Sequence, residues 1–261
     1  MAKQGILVDV SKCTGCRGCQ VACKQWNNLP ATKTKFSGSY ENPVTMNGAY
    51  TKVKFIETVE NGQVRFLFRK IQCMHCTEAS CMAVCAAGAI SRADNGQVVI
   101  DRDTCIGCKN CVVACPFGAI GFDEETGTSG KCWGCQDRVE NGLTPACAKT
   151  CPTGAITFGP REELLARAKE RVAQLQAAGK EAYIYGETEL GGLGNIYVLD
   201  AKPEVYGLPA NPRPATSSLL GNWLGVLVGV GAMAVAPFWM IFRNKEEDVS
   251  TKPGVGVDHD A

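Results

Sequence analysis

Cys105-Ile106-Gly107-Cys108-Lys109-Asn110-Cys111-Val112-Val113-Ala114-Cys115-Pro116 spaces four cysteines as C-x2-C-x2-C-x3-C and closes on proline. Upstream, Cys13, Cys16, Cys19 and Cys23 repeat that spacing. Two further groups have looser spacing: Cys73, Cys76, Cys81 and Cys85, then Cys132, Cys135, Cys147 and Cys151. All 16 cysteines of the protein fall in these groups. The stretch after the fourth cysteine also repeats, as Cys85-Ala86-Ala87-Gly88-Ala89-Ile90, Cys115-Pro116-Phe117-Gly118-Ala119-Ile120 and Cys151-Pro152-Thr153-Gly154-Ala155-Ile156. Proline ends a helical turn, glycine admits positive φ, and the small residue with isoleucine suits a strand packed beside the motif.

Two intervening residues let a tight loop carry three thiolates to one cubane, while the fourth cysteine reaches the neighbouring cluster of a pair. The spacing therefore predicts four [4Fe–4S] clusters on duplicated ferredoxin-like units, an α+β fold. A disulfide framework is a poor fit, because such frameworks belong to short secreted chains. This one has 261 residues, 45% of them hydrophobic. Cysteines two residues apart would also close strained rings that staple nothing. Zinc sites use C-x2-C pairs but need neither a third cysteine at the same spacing nor a following proline.

Lys and Arg number 27 against 26 Asp and Glu, a net charge of +1, so no broad basic field invites nucleic acid. Met1 to Val10 alternates into a short strand and shows no apolar h-region, cleavage site or twin-Arg pair. The expectation is a protein that stays in the cytoplasm or crosses a membrane already folded, bound to a partner that carries the signal.

Residues 1–158 read as the four-cluster domain, with an insert over about 24–72. The insert's early half is polar and turn-rich. Its later half predicts a hairpin, Val53–Val59 and Val64–Ile71 about Asn61-Gly62. Asp94-Asn95-Gly96 predicts a second turn before the strand Val98–Ile100. Residues 159–216 hold an amphipathic helix from Pro160 to about Ala178, with the stripe Leu164, Leu165, Ala168, Val172 and Leu175, read as a packing face. Strands at 183–185 and 195–199 and a proline-studded linker follow.

Residues 217–243 predict one transmembrane helix. Leu219 to Phe242 carries no charge, and about 24 residues at about 1.5 Å each exceed a hydrocarbon core of about 30 Å. Trp223 and Trp239 sit near its ends as interfacial aromatics do. A polar tail, 244–261, closes the sequence. Arg243, Lys245 and Lys252 outnumber Lys202 and Arg213, which puts the tail in the cytoplasm and the clusters outside.

Four such motifs, Cys73-Met74-His75-Cys76, the Lys131-Cys132-Trp133-Gly134-Cys135 pair with Cys147 after a long gap, and a C-terminal apolar span together resemble a known family. It is the iron–sulfur subunits of molybdenum or tungsten oxidoreductases. Within it, Cys16 to Asn27 and Asp137 to Leu143 resemble the beta subunit of membrane-bound formate dehydrogenase. The resemblance implies a non-catalytic electron relay between a Mo/W-bis-pterin catalytic subunit and a membrane b-type cytochrome that reduces quinone. It places the protein in the plasma (inner) membrane as a single-pass subunit, exported with its partner.

Ligand sets are implied by the same resemblance: Cys13, Cys16, Cys19 and Cys151; Cys23, Cys132, Cys135 and Cys147; Cys73, Cys76, Cys81 and Cys115; Cys85, Cys105, Cys108 and Cys111. The first two would face the catalytic subunit and the others the membrane. A membrane hydrogenase, a sulfur-compound reductase or a tethered polyferredoxin would share the motifs. Of the two histidines, His75 beside Cys76 is read as structural or as a donor to sulfur, and His259 as a tail residue. Trp26 and Trp133 are expected to pack against clusters. No catalytic constellation is visible.

Overall fold

A computed structural model describes residues 3–31, 46–60, 62–217 and positions 226, 230, 233 and 235. The protein divides into two units, Met1–Ala215 and Thr216–Ala261. The first begins with β1 (Gln4–Asp9) and α1 (Gly18–Trp26), followed by β2 (Thr51–Glu60) and β3 (Gln63–Gln72). Short elements come next: α2 (Ser80–Ala83), β4 (Ile90–Arg92), β5 (Val98–Ile100), α3 (Asn110–Ala114), β6 (Ile120–Asp123), β7 (Thr128–Lys131), α4 (Gln136–Glu140) and α5 (Ala146–Lys149). The unit closes with β8 (Ile156–Pro160), α6 (Arg161–Ala177), β9 (Tyr183–Tyr185) and β10 (Asn195–Leu199).

A four-stranded sheet in the order β8-β1-β10-β9 frames the unit, and three hairpins, β2-β3, β4-β5 and β6-β7, form separate two-stranded sheets. β1 runs parallel to β10 and antiparallel to β8. This position changes the reading of the N-terminal strand. Its alternation predicts one wet face, yet every residue from Gly5 to Asp9 is buried. Leu7 packs with Leu164, Ala168, Leu175, Ile196 and Val198 under α6, while Ile6 and Val8 join the core on the other side. The partner strand β10 lies far along the sequence, so the second buried face is invisible in the local pattern.

Pro160 precedes α6, where a missing N–H is harmless, and Glu162 and Glu163 sit in its first turn against the helix dipole. The helix ends on Gly179 at φ +72°. There the Gly179 N–H bonds the Gln176 carbonyl and the Lys180 N–H bonds that of Leu175, so the last carbonyls are capped. Arg171 reaches back to Asp9 at 2.9 Å and ties the helix to the end of β1.

The two predicted hairpins form, the first longer than expected, with Glu60 opposite Gln63. The polar half of the insert, 32–45, lies outside the described residues, as does Asn61. The proline-studded segment is not a free linker: Tyr206 and Leu208 are buried, Arg69 donates to the Tyr206 and Gly207 carbonyls, and the Tyr185 hydroxyl donates to that of Pro209. The expected transmembrane span lies outside the described residues except at Val226, Val230, Met233 and Val235, which are helical and exposed. No helix among the described residues is long and apolar enough to cross a membrane.

Leu164 is the pivot of the α6–sheet layer, 1% exposed. Leu164→Ala should cost about 2–5 kcal/mol through the cavity it leaves. Exposed Arg167→Ala on the same helix should stay within about 0.5 kcal/mol. Denaturant midpoints of the iron-loaded protein read the difference.

Candidate metal centres

One backbone device recurs in all four motifs. The residue before the second cysteine has positive φ: Gly15 at +67°, His75 at +49°, Gly107 at +71° and Gly134 at +77°. That turn swings the second thiol round towards the first. In the two C-x2-C-x2-C runs the residue after the second cysteine is left-handed as well, Arg17 at +60° and Lys109 at +61°, and each immediately precedes a helix that carries the third thiol, α1 or α3. A Cβ at Gly15 would lie 2.7 Å from the Phe68 ring, and one at Gly107 would strike the Gly127 carbonyl.

Past the fourth cysteine the tails also share one form. Gly88, Gly118 and Gly154 have positive φ, and their N–H groups bond the carbonyls of Cys85, Cys115 and Cys151 at 3.1, 3.1 and 3.3 Å. Buried Ala89, Ala119 and Ala155 follow, and Ile90, Ile120 and Ile156 open β4, β6 and β8.

Helix packing decides which motifs meet. α1 of the first motif packs on α5 of the fourth, and α2 of the second packs on α3 of the third. Trp26 Nε1 donates to Asp137 at 2.9 Å and Trp133 Nε1 to Asn27 at 2.5 Å, joining the first and fourth motifs at a second place. Trp26 is 43% exposed beneath the Arg138 guanidinium, so the expectation that it packs against a cluster is replaced by an ion-capped surface ring. These contacts use the two segments that carry the family resemblance.

The sulfurs follow the helices. All 16 cysteines are free. Burial pushes most of their pKa values up, and neighbouring thiolates add repulsion that maps the groups. Cys13 is raised by burial and by Cys151 and Cys16. Cys23 is pushed up to about 12 by burial, with Cys147 and Cys135 adding to it while Lys70 and the Thr51 hydroxyl oppose. Cys76 is raised by burial and by Cys73, Cys115 and Cys81. Cys111 is raised by burial and by Cys105 and Cys108, with the Ser129 hydroxyl opposing. Cys85 lines one cavity with Cys105, Cys108 and Cys111.

Electrostatic coupling between groups forms a line. Cys19, pushed up to about 11 mainly by burial, also feels Cys147. Cys132, raised by burial, feels Cys73. Cys81, pushed up to about 12 chiefly by burial, feels Cys111. Only Cys16 and Cys108 are classed as exposed.

Three buried polar groups lie among the sulfurs. His75 Nδ1 accepts the Val98 N–H at 2.9 Å, which leaves the proton on Nε2, and fully buried Nε2 has no protein partner. Burial, then Lys131, Arg92 and Lys70, hold its pKa well below the usual value, so the ring is neutral. An orphan N–H donor in that setting fits a sulfide-bearing group. Among the described residues no three His, Cys, Asp or Glu side chains are placed to hold a single metal ion. Lys70 and Lys131, each 3% exposed, escaped the sequence reading. Their one signal was a basic residue at the motif-proximal end of a strand.

Comparison with known proteins now bears on the same residues. A family described as a 4Fe-4S dicluster domain matches residues 64–161. The sequence is 43% identical over 258 residues to "Formate dehydrogenase iron-sulfur subunit" of Haemophilus influenzae, covering 93% of this protein and 82% of that one. This protein belongs to the formate dehydrogenase iron–sulfur subunit family. A nitrate-inducible formate dehydrogenase iron–sulfur subunit of Escherichia coli is also 43% identical, over 93% of this protein and 86% of its own length. The family is related more widely: one component of the anaerobic dimethyl sulfoxide reductase of E. coli is 39% identical over 164 residues, 61% of this protein and 75% of its own length.

As an iron–sulfur subunit of this family, the anaerobically purified protein should yield iron and acid-labile sulfide in about equal amounts. Gly107→Val should lower both, since it strains a positive φ and meets the Gly127 carbonyl. Stoichiometric zinc with little sulfide would contradict the assignment.

Proposed function

We propose that this protein is the non-catalytic electron relay of a membrane-bound formate dehydrogenase, with four [4Fe–4S] clusters in series. The ligand sets are Cys13, Cys16, Cys19 and Cys151; Cys23, Cys132, Cys135 and Cys147; Cys73, Cys76, Cys81 and Cys115; and Cys85, Cys105, Cys108 and Cys111. The observation that carries the reading is the helix pairing, α1 on α5 and α2 on α3, with electrostatic coupling of Cys19 to Cys147, Cys132 to Cys73 and Cys81 to Cys111, and exposed sulfur only in the first and last sets. When bound, the clusters supply one-electron transfer at potentials set by charge, hydrogen bonding and exposure.

The protein's residues supply position and insulation. Positive-φ turns aim the thiols, α1 and α5 clasp the first two sets, and α2 and α3 clasp the other two. Burial in the middle of the line keeps water from the interior sets, and exposed Cys16 and Cys108 mark the points of entry and exit. The first set faces a Mo/W-bis-pterin catalytic subunit and the last a membrane b-type cytochrome that reduces quinone. The charge-free span Leu219 to Phe242 anchors the protein, with its tail in the cytoplasm and the cluster domain outside. Similarity to a dimethyl sulfoxide reductase component supports a sulfur-compound reductase as the second reading. The catalytic subunit that co-purifies decides between them.

Cross-ligation has a direct test. Cys13→Ser and Cys151→Ser should perturb one EPR signal of the reduced complex, and Cys23→Ser its neighbour. Different signals for Cys13 and Cys151 would break the pairing.

The relay itself is tested with Cys85→Ser in the assembled complex. Formate-driven quinone reduction should be lost while formate oxidation with a small artificial acceptor persists. Undiminished quinone reduction would exclude an obligatory path through that set.

Truncation after Pro214 tests the anchor. The shortened protein should keep its iron and leave the membrane when its partners are absent. Full-length protein that washes off in alkaline carbonate would contradict a spanning helix.

A further inference from the structure

Lys70 stands where two of the proposed clusters meet. It lies near the end of β3, 3% exposed, and no carboxylate pairs with it among the described residues. Its ammonium group donates to the Gln72 side-chain oxygen and, at 3.5 Å, to the Thr51 hydroxyl. The same Thr51 hydroxyl lies beside Cys23 and favours its ionised form, so one hydroxyl stands between the ammonium and that sulfur. Lys70 acts on every thiol of the second set, Cys23, Cys132, Cys135 and Cys147, and on Cys19 of the first. A buried ammonium without a counter-ion is strongly unfavourable. The anions within its reach that offset this are thiolates.

We propose that Lys70 is a fixed internal cation that sets the redox potential of the second cluster, and to a lesser degree of the first, by favouring the reduced form. The inference rests on the ligand sets proposed above. Each one-electron reduction adds a negative charge to a cluster, and a nearby positive charge in a poorly screened interior stabilises that product over the oxidised form. The third set has a different buried neighbour, Lys131, which donates to the Val98 and Cys132 carbonyls and acts on Cys81 and Cys115. The field of Lys70 falls most strongly on the second set, reaching the third only at His75, and it makes the second set an easier resting place for an electron than its ligands alone would.

The test is an EPR-monitored redox titration of the purified complex carrying Lys70→Met, Lys70→Gln or Lys70→Arg, with signals assigned by the Cys→Ser variants. In both neutral variants the second signal should shift to lower potential by at least about tenfold in its oxidised-to-reduced ratio, about 59 mV for one electron. The first and third should shift less, the fourth should hold, and Lys70→Arg should restore the original value. Unshifted potentials at full iron content would overturn the proposal, as would equal shifts in all four signals. Loss of the second centre's iron in both neutral variants would also overturn it, because Lys70 would then be an assembly residue. Iron and sulfide in the unsubstituted protein report separately on the cluster reading, so its failure is distinguishable from this one.

Discussion

Burying thiols close together makes their ionisation costly, by desolvation first and by mutual repulsion second, and the rest of this fold is organised around that cost. Burial and neighbouring sulfurs push Cys19 up to about 11 and Cys23 and Cys81 up to about 12. At neutral pH these three thiols are therefore protonated without iron, and iron must displace those protons as it binds. Metal loading and folding become one process, with loading weakened as pH falls. The short elements near the motifs fit this dependence. Helices of four or five residues, such as α2, α3 and α5, are too short to persist in isolation. Their stability comes from what their cysteines hold.

The four-stranded sheet has the complementary role. β1, buried on both faces between β8 and β10, is a rigid strip from which the first motif starts, and β8 carries the tail of the fourth motif back beside it. The beginning and end of the cysteine series are thereby fixed to one sheet, which explains why helices of the first and fourth motifs pack together. The second and third motifs lie between them in sequence and pair with each other through α2 and α3. Nesting of this kind turns a linear order of motifs into a spatial line of thiol sets. The polar interior of that line is lysine and neutral histidine, and exposed sulfur is kept to the two terminal sets.

Much of this was legible in the sequence because cysteine spacing is a local property with a local consequence. Gly88, Gly118 and Gly154 announce positive-φ turns, the tails that hold them announce strands, and Pro160 and Gly179 bracket α6. What escaped was tertiary. The second buried face of β1 depends on β10. The proline-studded segment folds onto Arg69 and Tyr185, contacts that nothing in its composition encodes. Trp26 is held out at the surface by Asp137 and Arg138, which arrive from the fourth motif. Lys70 reads as an ordinary strand lysine until its end of the strand is seen to face sulfur. His75 was singled out, but its tautomer and its orphan Nε2 depend on the Val98 N–H.

The central claim is that the thiols form four clusters in one series, nested first with fourth and second with third. Iron-edge anomalous difference density from crystals of the anaerobically purified complex tests it most directly. The account predicts four separate peaks, each enclosed by one of the four sets, with the terminal peaks beside Cys16 and Cys108. Fewer than four peaks, or a peak that draws its thiolates from both nested pairs, such as Cys13 together with Cys81, would contradict it.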